Sequence, residues 1–536
     1  MHRRLPTFVS VLIVVLLVLS ACAPAVQPTA TTAPEPTPGE AQAEPITFVA
    51  STESTPPTID PIQADDSYMD IVAINVYNAL VQYAPGADEV EMELAESIEP
   101  AADGLSYKVT LREGVLFHDG SELTAEDVKY TIDRALALQR GVAFNLAGVT
   151  GAEVVDEYTL VINLENPFPG LVNALSRVYI VNADLLKEHE EAGDWGQKWL
   201  QTNDAGSGPY QLTSMVPEQQ WILDKFEGYF KGWEGEHVDR VVHRTIKDET
   251  TRRLALESEE VDWIAMGSSD AYEALKENPG IVLHSDSGLQ EEYIFFYVKD
   301  PYLQDARIRE ALALAYDYEG HVGARSGHSD IARGLIPPGI PCFDDSIPPS
   351  KQDLERAREL MAEAGYPDGG FTLTMAYPET RPEELLTGQI MQAGAAELGI
   401  TVDPIIVEWP AKVELMSSDH PASMANGWMF PTFPDPDQFY FELLHSSRGG
   451  VGAYNFGQYS NPEYDRLVEA AAIETDPDTR CDYYHQANDI LFKDWPLAYI
   501  VVMHSLVAHG DYVEGYAVTP AHTEIVNAYY ISLEGK

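Results

Sequence analysis

Residues Leu111–Leu136, LREGVLFHDGSELTAEDVKYTIDRAL, decide how the rest of the chain is read. Tyr107, Val109 and Leu111 alternate with polar residues, the period-two pattern of a half-buried strand. Asp119-Gly120 supplies a turn, because glycine accepts a positive φ without a Cβ clash. Thr124 then caps a helix, and Glu126 and Asp127 place negative charge on its first-turn amides. Val128, Ile132 and Ala135 share one face at helical spacing. Strand, turn and capped helix make a scaffold unit without chemistry of its own.

Around this unit the chain has 536 residues, 45% hydrophobic and 10% aromatic, enough for a large core divided into at least two lobes. Against 86 acidic residues stand 33 basic ones, a formal net charge of -53. Such a surface repels phosphate backbones and anionic headgroups, which speaks against a nucleic-acid partner and for solubility in an external medium. The same field steers a cationic solute inward.

The N-terminus bears on the compartment. His2, Arg3 and Arg4 precede an apolar run from Val9 to Leu19, broken by Ser10, with the proportions of a signal peptide. It ends in Leu19-Ser20-Ala21-Cys22, which resembles a bacterial lipoprotein box. That resemblance implies removal of residues 1–21 and lipidation of Cys22, whose two or more acyl chains give durable anchoring. A plain secretory signal with an incidental cysteine is the alternative. Residues 22–45, rich in Pro, Thr and Ala, are expected to form a tether, of at most ~70 Å at ~3.1 Å per residue. Of the other cysteines, Cys342 and Cys481, an external compartment permits a disulfide, and the sequence leaves open whether they meet.

Further along, Ile46–Ala50 has a strand pattern, the proline-rich 56–61 a rigid loop, and about Met69 to Leu80 a helix. Strands follow at Val154–Leu164, after Gly206-Ser207-Gly208-Pro209-Tyr210, at Val238–Val242, at Tyr293–Val298 and at Leu497–Met503. Helices are expected at 248–260, Asp305–Tyr316, Lys351–Ala364, Gly388–Leu398, from Asn461, and over TDPDTRCDYYHQANDIL. The alternation predicts α/β lobes.

The opening stretch also resembles the signature block of the peptide/nickel-type solute-binding proteins of bacterial ABC importers. Leu111, Arg112, Gly114, Val115, Phe117, His118, Asp119, Gly120, Thr124, Ala125, Glu126, Asp127 and Val128 match its pattern. The resemblance continues through Leu94-Ala95-Glu96-Ser97, Gly206–Tyr210 and Asn461-Pro462, from about residue 46 to about 505. It implies an α/β fold, a two-lobe periplasmic-binding-protein-like clamshell with discontinuous lobes. Lobe I is expected at 46–80, 205–287 and 505–536, an inserted subdomain at 81–204, and lobe II at 288–504. It further implies capture of a solute outside the cytoplasm, delivery to membrane permease subunits, and action as a monomer anchored to the outer face of the membrane.

No catalytic constellation emerges. There is no Gly-x-Ser-x-Gly elbow, His-Glu-x-x-His helix or Walker loop, and 86 acidic residues make chance carboxylate pairs uninformative. The 14 histidines show no ligand spacing, so neither a metal nor a cofactor is expected. The segment Gly427–Tyr440, GWMFPTFPDPDQFY, combines prolines with aromatic faces suited to a small-solute pocket. Gly427, Trp428, Phe430 and Thr432 are candidate ligand contacts, although Trp428 and Phe430 equally suit a core. The family carries an Asp where Thr432 stands; in peptide-binding relatives it pairs with the ligand's amino group. Its loss removes a bond of roughly 1.5–3 kcal/mol and gives weight to an oligosaccharide beside a peptide. The resemblance adds Asp65, Ser67 and Tyr68 in lobe I, for which an exposed helix start is the alternative, and Tyr454 and Asn455 in lobe II. A surface-tethered glycan hydrolase, with the aromatic segment as sugar platform, is the reading from another class.

Overall fold

The computed structural model describes residues 44–536 apart from 55, 64–66, 88, 380, 420, 450–453 and 520–523. The signal segment, Cys22, most of the tether and Asp65 lie outside the described residues, as do the side chains of Ser67 and Tyr68.

The opening stretch folds as its pattern dictates. Strand Ser106–Leu111 buries alternate side chains, and helix Ala125–Leu138 follows. At the helix start the Asp127 carboxylate accepts the Thr124 N–H at 2.9 Å, and its second oxygen accepts the Ala183 N–H at 2.9 Å. Between them the turn docks on a segment almost ninety residues away. His118 donates its backbone N–H to the Gly206 carbonyl at 2.9 Å, and its ring lies 2.7 Å from the Asp204 carboxylate and 3.0 Å from the Gly208 carbonyl. A Cβ on Gly206 would stand 1.9 Å from the Val76 carbonyl oxygen, and one on Gly208 2.5 Å from its carbon. Glycine is therefore required where this segment crosses the end of helix Ser67–Val76. That crossing ends the helix at Val76, four residues before the Leu80 the periodicity predicts.

A four-stranded antiparallel sheet runs Ala95–Pro100, Ser106–Leu111, Thr159–Leu164, Val149–Asp156. The main sheet has eleven strands. From one edge they are Thr401–Ile406, Thr372–Tyr377, Met424–Met429, Ile281–Phe296, Leu497–Gly510, Trp263–Met266, Thr47–Thr52, Arg240–Thr245, Gln220–Lys225 and Tyr210–Val216. The eleventh, Ser329–Ile331, pairs with Leu497–Gly510. Helices pack on its faces, and the apolar interior divides into one large cluster at the Thr47–Thr52 end, two that flank the strands Thr372–Tyr377 and Met424–Met429, and a small one beside Trp263–Met266. This is the two-lobe α/β clamshell.

Two antiparallel strands, Ile281–Phe296 of 16 residues and Leu497–Gly510 of 14, connect the halves. The sequence pattern shows only their apolar ends, Tyr293–Val298 and Leu497–Met503, because His, Ser, Asp, Gln and Glu interrupt the alternation between 284 and 292. Their register slips between Ser287 and Glu291. Helix Pro382–Ala396 starts six residues before the expected Gly388, with Pro382 in its first turn. Cys342 and Cys481 are joined, Cα atoms 4.9 Å apart, tying the 335–350 loop to helix Pro477–Asp494 across 139 residues. Among the described residues no helix is long and apolar enough to cross a membrane.

Candidate ligand-binding cleft

Strand Met424–Met429 carries the chain into Phe430–Pro436, where Pro431, Pro434 and Pro436 fix φ before helix Asp437–Leu444 begins. The expected irregular stretch Gly427–Tyr440 thus holds the end of a strand, a stiff crossing and the start of a helix. Asp435 accepts the Asp437 N–H at 2.9 Å and forms a buried 2.8 Å ion pair with Arg480. Burial, and then the Asp435 charge, push the Asp437 carboxyl up to about 7.

The crossing is covered by residues 145–177. Phe433 meets Phe168 edge to face at 6.1 Å, the Asn173 amide donates to the Pro434 carbonyl at 3.4 Å, and Gly170 is pressed against Asp435. The Arg177 guanidinium sits 5.5 Å from the Phe430 ring centre and pairs with Asp70 at 2.8 Å, both buried. The Thr432 hydroxyl lies 2.7 Å from Asn145 Oδ1 and 2.9 Å from Gln438 Oε1. One hydroxyl hydrogen cannot serve two acceptors, so the Asn145 amide is turned with its NH2 toward Thr432, which donates to Gln438. Thr432 is thereby committed within the protein.

Beside the crossing lies an aromatic stack. Trp428 packs parallel to Trp409 at 6.0 Å and 18°, and Trp409 to Tyr454 at 6.4 Å and 28°. The Arg381 guanidinium covers Trp428 at 5.6 Å while 45% of its side chain remains exposed. Lys412 lies 4.9 Å from the Trp409 ring centre and is ion-paired with Glu384, both buried. Opposite Trp428 in the sheet, Glu292 accepts the Thr387 hydroxyl at 2.6 Å, and burial raises its carboxyl to about 8.

Of the residues singled out in the sequence, Trp428 and Tyr454 each stack on Trp409, while Phe430 and Thr432 lie in the crossing against Arg177 and Asn145. Gly427 is buried against Phe295, a Cβ there meeting its ring at 3.2 Å. Asn455 is buried, its amide donating to the Tyr459 and His445 carbonyls at 2.9 and 3.2 Å and accepting the Tyr459 N–H at 2.9 Å. It braces the loop that presents Tyr454. Arg381, Trp409, Asn145 and Arg177 went unnoticed. Trp409-Pro410 and Arg381-Pro382 offered a proline-flanked signal, whereas nothing local marks Asn145 or Arg177. Among the described residues no group of three or more His, Cys, Asp or Glu converges on a metal position.

Stiff aromatic faces, one partly exposed guanidinium and a crossing closed by a second region suit the grip of a small polar solute, and define a solute-binding clamshell. The chain belongs to the bacterial extracellular solute-binding proteins, family 5 Middle, whose model matches residues 89–451. It is a peptide/nickel-type solute-binding protein of ABC importers, extracytoplasmic and not an enzyme. Heme-binding protein A of Haemophilus influenzae is 28% identical over 91% of this chain and 93% of its own length. Glutathione-binding protein GsiB of Salmonella paratyphi A is 29% identical over 86% and 90%. The periplasmic binding protein DppA of Helicobacter pylori, solved with the peptide STSA, is 25% identical over 91% and 98%, with a TM-score of 0.76.

Proposed function

We propose that this chain is the lipid-anchored capture subunit of an ABC importer, taking a short peptide or peptide-like solute between two lobes and delivering it to permease subunits unchanged. Cys22 holds it at the outer face of the membrane, and it works as a monomer. The lobes divide at 287/288 and 504/505, with residues 81–204 inserted in lobe I. The register slip beside Ser287, which pairs with His504, supports a hinge there, because a break in the ladder is where two paired strands bend most easily.

The observation that carries the reading is the partly exposed Arg381 over Trp428 beside the closed crossing. A guanidinium backed by an indole face, partly exposed and 3.7 Å from the Glu384 carboxylate, keeps donors for a second carboxylate, which every free peptide carries. Relatives named for glutathione and solved with STSA support the same ligand class. An oligosaccharide loses weight, since the Thr432 hydroxyl that favoured it is bonded to Gln438 and Asn145.

The test is a thermal-shift screen of peptides with free and amidated C-termini. A true ligand at 100 times its Kd stabilises the protein by ~2.7 kcal/mol. Arg381→Ala should remove the preference for the free carboxylate. Equal shifts with amidated peptides would overturn the role of Arg381, and no shift with any peptide would overturn the ligand class.

A further inference from the structure

Outside the cleft, the two long strands bring together a pair of histidines that the sequence keeps 225 residues apart. His284 on Ile281–Phe296 pairs with Val507, and His509 on Leu497–Gly510 pairs with Val282. The two rings are therefore diagonal neighbours on one face of the sheet. Their Nε2 atoms stand 3.0 Å apart, with ring planes 29° from parallel. Tyr516 sets its ring edge-on to both, at 5.0 and 5.6 Å, and fixes the pair from one side. His284 keeps 22% of its side chain exposed, so the pair is reachable from solvent.

The other ring nitrogens show how the pair is oriented. His509 Nδ1 lies 2.8 Å from the Gly510 carbonyl, an acceptor only, so Nδ1 carries the hydrogen and Nε2 presents a lone pair. His284 Nδ1 faces the Asp286 carboxylate at 3.8 Å, again an acceptor. If both Nδ1 atoms carry hydrogens, two lone pairs point at one spot. A histidine whose far nitrogen donates to a carbonyl, as that of His509 does, is the arrangement found at metal ligands. Without a metal, His284 carries its hydrogen on Nε2 and donates it to His509, and a bound ion takes the place of that hydrogen.

The spacing selects the kind of ion. Nitrogens 3.0 Å apart and each about 2.0–2.1 Å from a shared metal subtend about 91–97° at it. That is near the right angle of a tetragonal ion and well below the ~109° of tetrahedral zinc. We propose that His284 and His509 form a two-imidazole site for a divalent transition ion of tetragonal preference, copper(II) ahead of nickel(II). Among the described residues no third His, Cys, Asp or Glu completes the shell, so water or a donor from solution fills the remaining positions. Because its two ligands sit on the two strands that connect the halves of the sheet, a bound ion pins those strands together at this level.

The experiment is a titration of the full chain with copper(II), read by electron paramagnetic resonance and by melting temperature. One equivalent should give a tetragonal spectrum with hyperfine coupling from two imidazole nitrogens, and the melting temperature should rise. His284→Asn and His509→Gln should each lose that spectrum and the rise. His284 is partly exposed, so His284→Asn decides the matter even if the buried His509 variant fails to fold. Copper retained with an unchanged spectrum in His284→Asn would overturn the proposal, as would a wild-type chain that retains none. Zinc held as tightly as copper would overturn the tetragonal assignment.

Discussion

The turn at 111–128 and the crossing at 428–440 are both short, rigid and rich in turn residues, yet local and distant bonds hold them in different proportions. The turn closes many of its own bonds and then docks as a unit: the Asp119 carboxylate accepts from the Ser121 backbone and hydroxyl, Glu122 accepts the Gly114 N–H and Asp127 accepts from Thr124, while His118 and Asn182 tie it to the 182–208 region. The crossing is fixed from outside, by Arg480, Asn145, Phe168 and Arg177, residues 45 to 287 positions away. A locally satisfied segment is robust scaffold. A segment held mainly by distant parts is sensitive to how those parts are placed, which suits a two-lobe clamshell.

The sharpest way to break this comparison is Asp435→Ala. It strands the buried Arg480 guanidinium, and denaturant unfolding should show a loss of about 3–5 kcal/mol. Asp119→Ala in the turn should cost about 1.5–3 kcal/mol, since what is lost are its exposed bonds from Ser121 and one part-buried bond from the Asn182 amide at 3.0 Å. Equal costs would erase the distinction.

A second test uses pH. Burial holds the Glu292 carboxyl at about 8 in the folded chain, against 4.5 for an ordinary glutamate. The folded state keeps a proton that the unfolded state releases. This contribution to stability is therefore complete below about 4.5, declines as pH rises, and is gone above about 8. Glu292→Gln keeps an acceptor for Thr387 and cannot ionise. It should stabilise the protein by on the order of 3 kcal/mol at pH 8 and change little at pH 4.5, measured as melting curves across that range. A uniform effect at both values would show that charge is not the cause.

The smallest expected effect concerns the contact between regions. Thr432→Val and Asn145→Ala in a double-mutant cycle should show a coupling of about 0.5–1.5 kcal/mol. Scattering from the Thr432→Val protein should shift toward an open form. No coupling would mean that the crossing is held by its prolines and by Arg480 alone.

The uneven legibility of the molecule has the same origin. Wherever a pattern closes within about thirty residues, as in strand Ser106–Leu111, helix Ala125–Leu138 or the Asn461 cap on helix Pro462–Ile473, periodicity and capping chemistry located it. The 16-residue strand Ile281–Phe296 is half visible, because its polar stretch mixes exposed residues such as Asp286 and Ser287 with the buried Glu291 and Glu292 and breaks the alternation. Trp428 and Phe430 stood out through composition. Asn145 and Arg177 did not, since a solitary asparagine or arginine acquires meaning only from what is packed against it.

By itself the sequence determined the family block, the α/β alternation, the caps and turns, and an aromatic, proline-stiffened segment as the place to look for a ligand. Each of those rests on forces acting between near neighbours in the chain. Only the tertiary structure decided that Cys342 meets Cys481, that Thr432 is bonded to Asn145, that Arg381 covers Trp428, and that His284 faces His509. Those contacts join residues between 47 and 287 positions apart wherever distant strands and loops become neighbours. No local preference encodes such a meeting, because it is fixed by the packing of the whole core.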